Sequence, residues 1–242
     1  MLAKNAFFLK STVRDRVVMR ICVGANFLLI VFCLVWLEVN WQKTAPSSIV
    51  IALVLLAGYY FSDIASGIIH WTADTWFYEA KVGRALSILR EHHSHPLHVL
   101  EYGWLEHASL GSAPSVLIVA PLAFCISQLP HSASTFIGML LCLELAICLF
   151  FLSFFHNLGH CYSRFKAIRF AQEHRFLMSP RYHAVHHRSQ TIRYCAINGW
   201  ANYLFDRYLI WRRLESMIQS RTGAVPRDDD EAWQKLYRRQ RP

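Results

Sequence analysis

Four long apolar runs leave this chain few ways to fold. Val17 to about Val39, Ile49 to about Trp71, about Leu110 to Leu129 and Thr135 to about Phe155 each reach the roughly 20 residues that an α-helix needs to cross a bilayer. A backbone without water around it must satisfy its own amides, so helical spans are the expected solution. The first run is too long for a signal-peptide core and no small-residue cleavage site follows, so it is expected to be retained. The prediction is an all-α integral membrane protein with four transmembrane helices, the third kinked by Pro114 and Pro121.

Charge orients these spans. The 242 residues carry a net charge of +9, which in a soluble protein would suggest nucleic acid. Here the basic residues flank apolar runs, which points to a membrane surface and away from nucleic acid. Lys and Arg crowd the N-terminal tail, the stretch 72–108 and everything after 157, whereas the other two connections hold only Lys43. The positive-inside rule then makes both termini cytoplasmic, in a bacterial inner membrane or the endoplasmic reticulum. The expected organisation is a basic tail at 1–16, a membrane domain at 17–235 whose cytoplasmic cap is 72–108 and 157–235, and a tail at 236–242. Seven cysteines without a CxxC pair read as reduced packing residues.

Thirteen histidines are the chemical signal, and they fall into four groups. The densest is Pro180-Arg181-Tyr182-His183-Ala184-Val185-His186-His187. If it is helical, His183 and His187 stand at i, i+4 with His186 beside them, so three nitrogens can converge on one point. Along the end of the second run, Asp63, Gly67, His70 and Asp74 make one helical stripe. His70 is a candidate ligand there, and one of Asp63 and Asp74 a partner that fixes its tautomer. The adjacent His92 and His93 cannot share one helical face, but they can serve two metals or present one ligand and one group that supports it. His156 and His160 form an i, i+4 pair continuing the fourth run, whereas Glu144, deeper in that run, is rotated away from His160 and is expected to pair elsewhere. His174 either reaches the same site or caps a helix. His95, His98 and His107 read as ordinary polar loop residues, and His131, alone in the opposite turn, as no ligand.

The spans place these groups at one face of the membrane, and eight or nine imidazoles exceed what a single tetrahedral site uses. Two metals are implied. With no nucleophilic serine motif and no phosphate loop, the economical reading is a redox-active di-iron site that activates oxygen, chemistry that zinc cannot supply.

Several strings carry a resemblance: DIASGIIHWTADTW from Asp63, REHHSHP from Arg90, His156 to His160, Pro180 to His187, Gly199 to Tyr203, and Trp211 to Glu215. In order and spacing they resemble the plasmanylethanolamine desaturase family, or lipid-desaturase domain, over about residues 60–235. The resemblance implies two iron ions held by His70, His92, His93, His156, His160, His174, His183, His186 and His187. It implies a reaction that takes O2 and two electrons from an external donor and converts a 1-O-alkyl ether phospholipid to a vinyl-ether plasmalogen. No flavin or haem motif is visible, so a small electron carrier, a b-type cytochrome or ferredoxin, and its reductase are implied. Arg207, Arg212 and Arg213 are candidates to hold the phosphate headgroup, although as membrane anchors they would look the same. His95 stands where relatives commonly have Asp, and the stretch after it is shorter, which bears on substrate. The alternatives are an acyl-chain desaturase or hydroxylase acting on a phospholipid, and a non-enzymatic membrane metal-binding protein. Transport proteins usually carry their ligands near the midplane, which weighs against the last.

Overall fold

A computed structural model describes residues 11–76, 88–89, 92–93 and 97–227. Every regular element among the described residues is helical. The expectations for the N-terminal tail before Ser11, for His95 and for the chain after Arg227 lie outside the described residues, as does the side chain of His98.

Four helices are long and apolar enough to cross a membrane: α1 (Val13–Thr44), α2 (Ser48–Trp76), α3 (Trp104–Ser127) and α4 (Ala133–Phe150). They fit a membrane protein. Their starts follow local chemistry. Thr12 and Asp15 form a capping box ahead of α1, and Ser132 and Thr135 do the same for α4, each pair satisfying amides that the helix start leaves bare. α3 runs through both Pro114 and Pro121. The fourth run does not extend as one helix to Phe155. It breaks at Phe151 and restarts as α5 (Leu152–Leu158), which ends before His160. His156 and His160 therefore do not share one continuous helical face, yet their ligand atoms come within 4.8 Å of each other as a pair.

The chain divides into two compact units. One comprises Thr12–Ser66 and Gly103–His156, the bundle of spans. In it α1, α3 and α4 pack together through small residues: Ala108, Gly111, Ser112, Ser115 and Ala123 are all buried on α3, while Leu117, Ile118 and Phe124 are exposed. Lipid tails give no hydrophobic drive for helices to associate, so close approach and polar contacts must hold them. Asn26 supplies such a contact. It is fully buried, donates from Nδ2 to the Ala146 carbonyl at 3.3 Å, and accepts from Ser115 Oγ at 2.6 Å. Gly111 supplies the close approach, since a Cβ there would collide with the Leu149 carbonyl. Gly111→Ala is expected to cost about 1–3 kcal/mol, because the obstacle is backbone that cannot swing aside. Thermal melting of the detergent-solubilised protein measures it, and an unchanged midpoint would refute the tight crossing.

The other unit contains Gly67–Tyr102 and the chain from Asn157 onward. Its described elements are the end of α2, a single 3-10 turn (His98–Glu101), and the helices α6 (Lys166–Glu173), α7 (Pro180–Arg188), α8 (Asn202–Arg207) and α9 (Ile210–Thr222). The apolar stretch Cys195–Trp211 is helical only over Asn202–Arg207 and from Ile210 onward. Cys195 to Asn198 are buried without regular structure, and Trp211 is buried while Leu204 and Tyr208 are exposed. Asn202 explains the break, its amide holding both the N–H and the C=O of Cys195 at 2.9 Å. Gly67 lets α2 come against this segment, with Cys195 Sγ and the Trp211 ring in the space a side chain would take.

Candidate metal centre

The run that begins at Pro180 does form a helix. Proline at the first turn has no amide to waste and a φ already suited to the helix, and α7 carries His183, His186 and His187. At about 100° per residue His183 and His187 lie some 40° apart, but His186 is about 100° round from His187. The three rings therefore do not converge on one point. They are divided between two groups of potential ligands.

The first group is His92, His156, His160, His183 and His187, and the second is His70, Asp74, His93 and His186; in each, one ligand atom per residue lies within 4.8 Å of all the others. The adjacent His92 and His93 face different groups, as their opposed directions on a helical turn require. Asp74 stands among the ligand atoms and not behind them, so the second group is not all-nitrogen. Asp63 is fully buried and belongs to neither group. His174 caps the end of α6, is exposed and packs on the Phe170 ring at 4.2 Å, also outside both groups. His131 is exposed against Trp36, 5.4 Å between ring centres.

The second group fixes its own tautomers. His186 Nδ1 is 2.7 Å from the Ile192 carbonyl, and His70 Nδ1 is 3.0 Å from the Tyr194 carbonyl. A carbonyl can only accept, so each Nδ1 carries the hydrogen. In a neutral ring each Nε2 is then left with a lone pair. Those two lone pairs face an oxygen, Asp74 Oδ2 lying 3.3 Å from His70 Nε2 and 3.7 Å from His186 Nε2, and His93 Nε2 is 3.4 Å from the same oxygen. The lone pairs of His70 and His186 and the carboxylate repel one another unless a cation lies among them. A proton on His186 is disfavoured, because burial, and then the neighbouring His70, hold its pKa well below the ordinary imidazole range. The donor set of three nitrogens and one carboxylate oxygen suits a metal ion of the first transition row.

In the first group His187 Nε2 and His183 Nε2 are 3.0 Å apart, and His187 Nδ1 is buried without a hydrogen-bond partner. Burial drives His187 down to about 2 and His160 to about 4, so these rings are neutral ligands at any ordinary pH. His160 sits in the turn after α5, and that turn is held by Gln172. The Gln172 side chain is fully buried, donates to the carbonyls of Leu158 at 2.6 Å and Cys161 at 3.0 Å, and accepts from the Ser163 amide at 2.9 Å. Gln172, two positions before His174, thus holds the turn that carries His160.

A lipid desaturase domain model matches residues 59–229, well over half of the chain, and the matched region holds every residue of both groups. The chain belongs to the lipid desaturase family. This desaturase is 29% identical to plasmanylethanolamine desaturase 1 of Mus musculus over 80% of its own length and 73% of the mouse protein. It is 26% identical to the plasmanylethanolamine desaturase of Myxococcus xanthus, over 78% and 68% of the two chains. A chloroplastic protein of Arabidopsis thaliana, fatty acid desaturase 4-like 2, is 26% identical over 73% and 62%. No solved structure matches the chain. The protein is an oxygen-dependent desaturase, hence an oxidoreductase, and the two ligand groups indicate a metal cofactor.

Three sets of residues escape the histidine pattern. The carbonyls of Ile192 and Tyr194 have no signature in sequence. Gln172 was visible only as a polar residue on a short amphipathic helix. His107 reads as a loop residue but is buried on α3, with its Nδ1 2.8 Å from Ser153 Oγ. Among the arginines proposed for a headgroup, Arg207 and Arg213 are exposed, whereas Arg212 turns to Glu215, with Nη1 2.6 Å from Oε2.

Proposed function

We propose that this desaturase converts a 1-O-alkyl ether phospholipid to the vinyl-ether plasmalogen. The observation that carries the proposal is the division of nine ligand candidates into two adjoining groups, five of the nine coming from two short segments, His92–His93 and α7. The mouse and Myxococcus relatives, both plasmanylethanolamine desaturases, supply the substrate class. Two iron ions fit the two groups. When bound, such a pair supplies O2 activation and the removal of two hydrogens from neighbouring carbons.

The protein's own part is holding and shielding. The Ile192 and Tyr194 carbonyls keep His186 and His70 in the tautomer that presents Nε2. Asp74 supplies negative charge to the second group only, so the two sites differ in donor strength. Burial of His92, His183 and His186 keeps water from the oxidising centre. Two electrons come from a small carrier, a b-type cytochrome or ferredoxin, served by a reductase. In this reading residues 17–235 form the membrane domain, both termini are cytoplasmic, and Arg207 and Arg213 are free to meet phosphate at the interface.

Expression in cells that lack plasmalogens and are supplied with alkyl-ether lipid tests the proposal. Acid-labile vinyl ethers are the expected product. A second reading, acyl-chain desaturation, is favoured by the Arabidopsis relative, and it predicts new double bonds that survive mild acid. Folded, iron-loaded protein with a working donor that forms only acid-stable product would replace the first reading by the second.

A further inference from the structure

The segment from Gln190 to Cys195 has little regular structure, yet it is fastened along its length. Arg193 takes a left-handed φ of 60°, its amide donates to Asp206 Oδ1 at 3.2 Å, and its guanidinium donates to the Tyr182 carbonyl at 3.1 Å. Asn202 grips Cys195 at both backbone atoms. Tyr194 is buried, and its hydroxyl donates to the Gln190 carbonyl at 2.7 Å and accepts from Arg212 Nη2 at 3.3 Å. Arg212 in turn pairs with Glu215, whose second oxygen accepts from Trp71 Nε1 at 2.9 Å. Trp71 follows His70 on α2. A continuous chain of polar contacts therefore runs from the residue beside one ligand, through α9, to the strap whose carbonyls orient His70 and His186.

We infer that Glu215 is a positioning residue: through Arg212 and the Tyr194 hydroxyl it holds the Ile192 and Tyr194 carbonyls where they set the Nδ1–H tautomers of His186 and His70, and so preorganises the Asp74-containing site and not its neighbour. The inference rests on the proposed reading that both groups hold metal. It assigns a site-specific task to the C-terminal helix, far along the chain from any histidine. Glu215 itself touches no ligand atom. Its effect travels through two side chains and a backbone segment, which is how outer partners of metal-bound histidines act, and losing such a partner weakens metal affinity by about 10–100-fold. The first group is held by Gln172 and by α7, and the strap meets α7 through Arg193 on the Tyr182 carbonyl, a contact that both variants below leave in place.

Two variants separate this task from plain stability. Tyr194→Phe removes only the hydroxyl and keeps the ring packing and the carbonyl. Glu215→Gln keeps an oxygen for Trp71 but loses the charge that holds Arg212. Iron-loaded, full-length protein in detergent is challenged with a graded chelator, and the iron retained per chain is read together with the Mössbauer spectrum of 57Fe-loaded samples. In both variants one iron is expected to leave at chelator concentrations about 10–100-fold lower than in the parent, taking one of the two spectral components with it, while the other leaves as before. Retention of both irons as in the parent overturns the inference, and so does parallel loss of both from protein whose melting curve is unchanged. If Glu215→Gln does not fold, Tyr194→Phe decides alone. A parent chain that takes up no iron overturns the metal reading itself, an outcome distinct from a parent with two irons and variants that match it.

Discussion

Alanine at His183 or at His186 is expected to abolish desaturation while the protein still inserts into the membrane. The two residues sit three positions apart on α7 but serve different groups, so each variant disarms one half of the centre. Losing a metal from a site that depends on it removes several kcal/mol of transition-state stabilisation, a rate loss on the order of a thousandfold or more. Metal analysis should show the two variants failing differently: His183→Ala loses metal from the all-imidazole group, and His186→Ala from the group with Asp74. His131→Ala, an exposed ring against Trp36 in the turn between α3 and α4, is the control and should keep full activity. Membrane fractionation with product analysis by mass spectrometry checks all three. Comparable activity loss at His131 would show that histidine content stabilises the fold and that the chemistry lies elsewhere.

Acid should take the metal-free protein apart. In the folded chain burial depresses the pKa values of His160 to about 4 and His187 to about 2, and holds His186 well below the usual range. In the unfolded chain all three titrate near about 6.5. The unfolded state therefore binds more protons below that value, and stability falls as pH falls. It is fully present above about pH 6.5, declines from there toward about 4 for His160, and continues to fall for His187. One pH unit below the unfolded value the three rings together cost on the order of a few kcal/mol, a large share of a typical domain's stability. Bound metal competes with the same protons, so the loaded protein should release metal across that window. Melting midpoints of the chelator-treated protein at pH 7.5, 6.5 and 5.5 test this. A flat series would mean that the imidazoles are not buried as neutral bases.

The architecture was legible because its causes are local. Apolar length gave four spans, and the histidine-rich run after Pro180, read as a possible helix, is α7. The division of ligands was less so. Helical geometry says that His186 points about 100° from His187, but it does not say that a second group waits there. The break at Phe151 has no proline or glycine to announce it, and the helix after it ends before His160, so the pairing of His156 with His160 was legible from spacing but the turn that achieves it was not. Asp74 was recognised as near the site, yet its rank among the ligands depends on three Nε2 atoms contributed by three distant stretches. Backbone carbonyls are the extreme case, because every residue has one and only the folded path of Gln190–Cys195 makes two of them matter.

A nine-residue rod that seats donors on both sides of itself works as a spacer between the two ligand groups it serves. Turning α7 about its axis to favour one group would draw donors away from the other, so their separation is set by peptide geometry and not by the lipid that arrives. An inhibitor or a mutation that nudges this rod would be felt at both groups in the same instant.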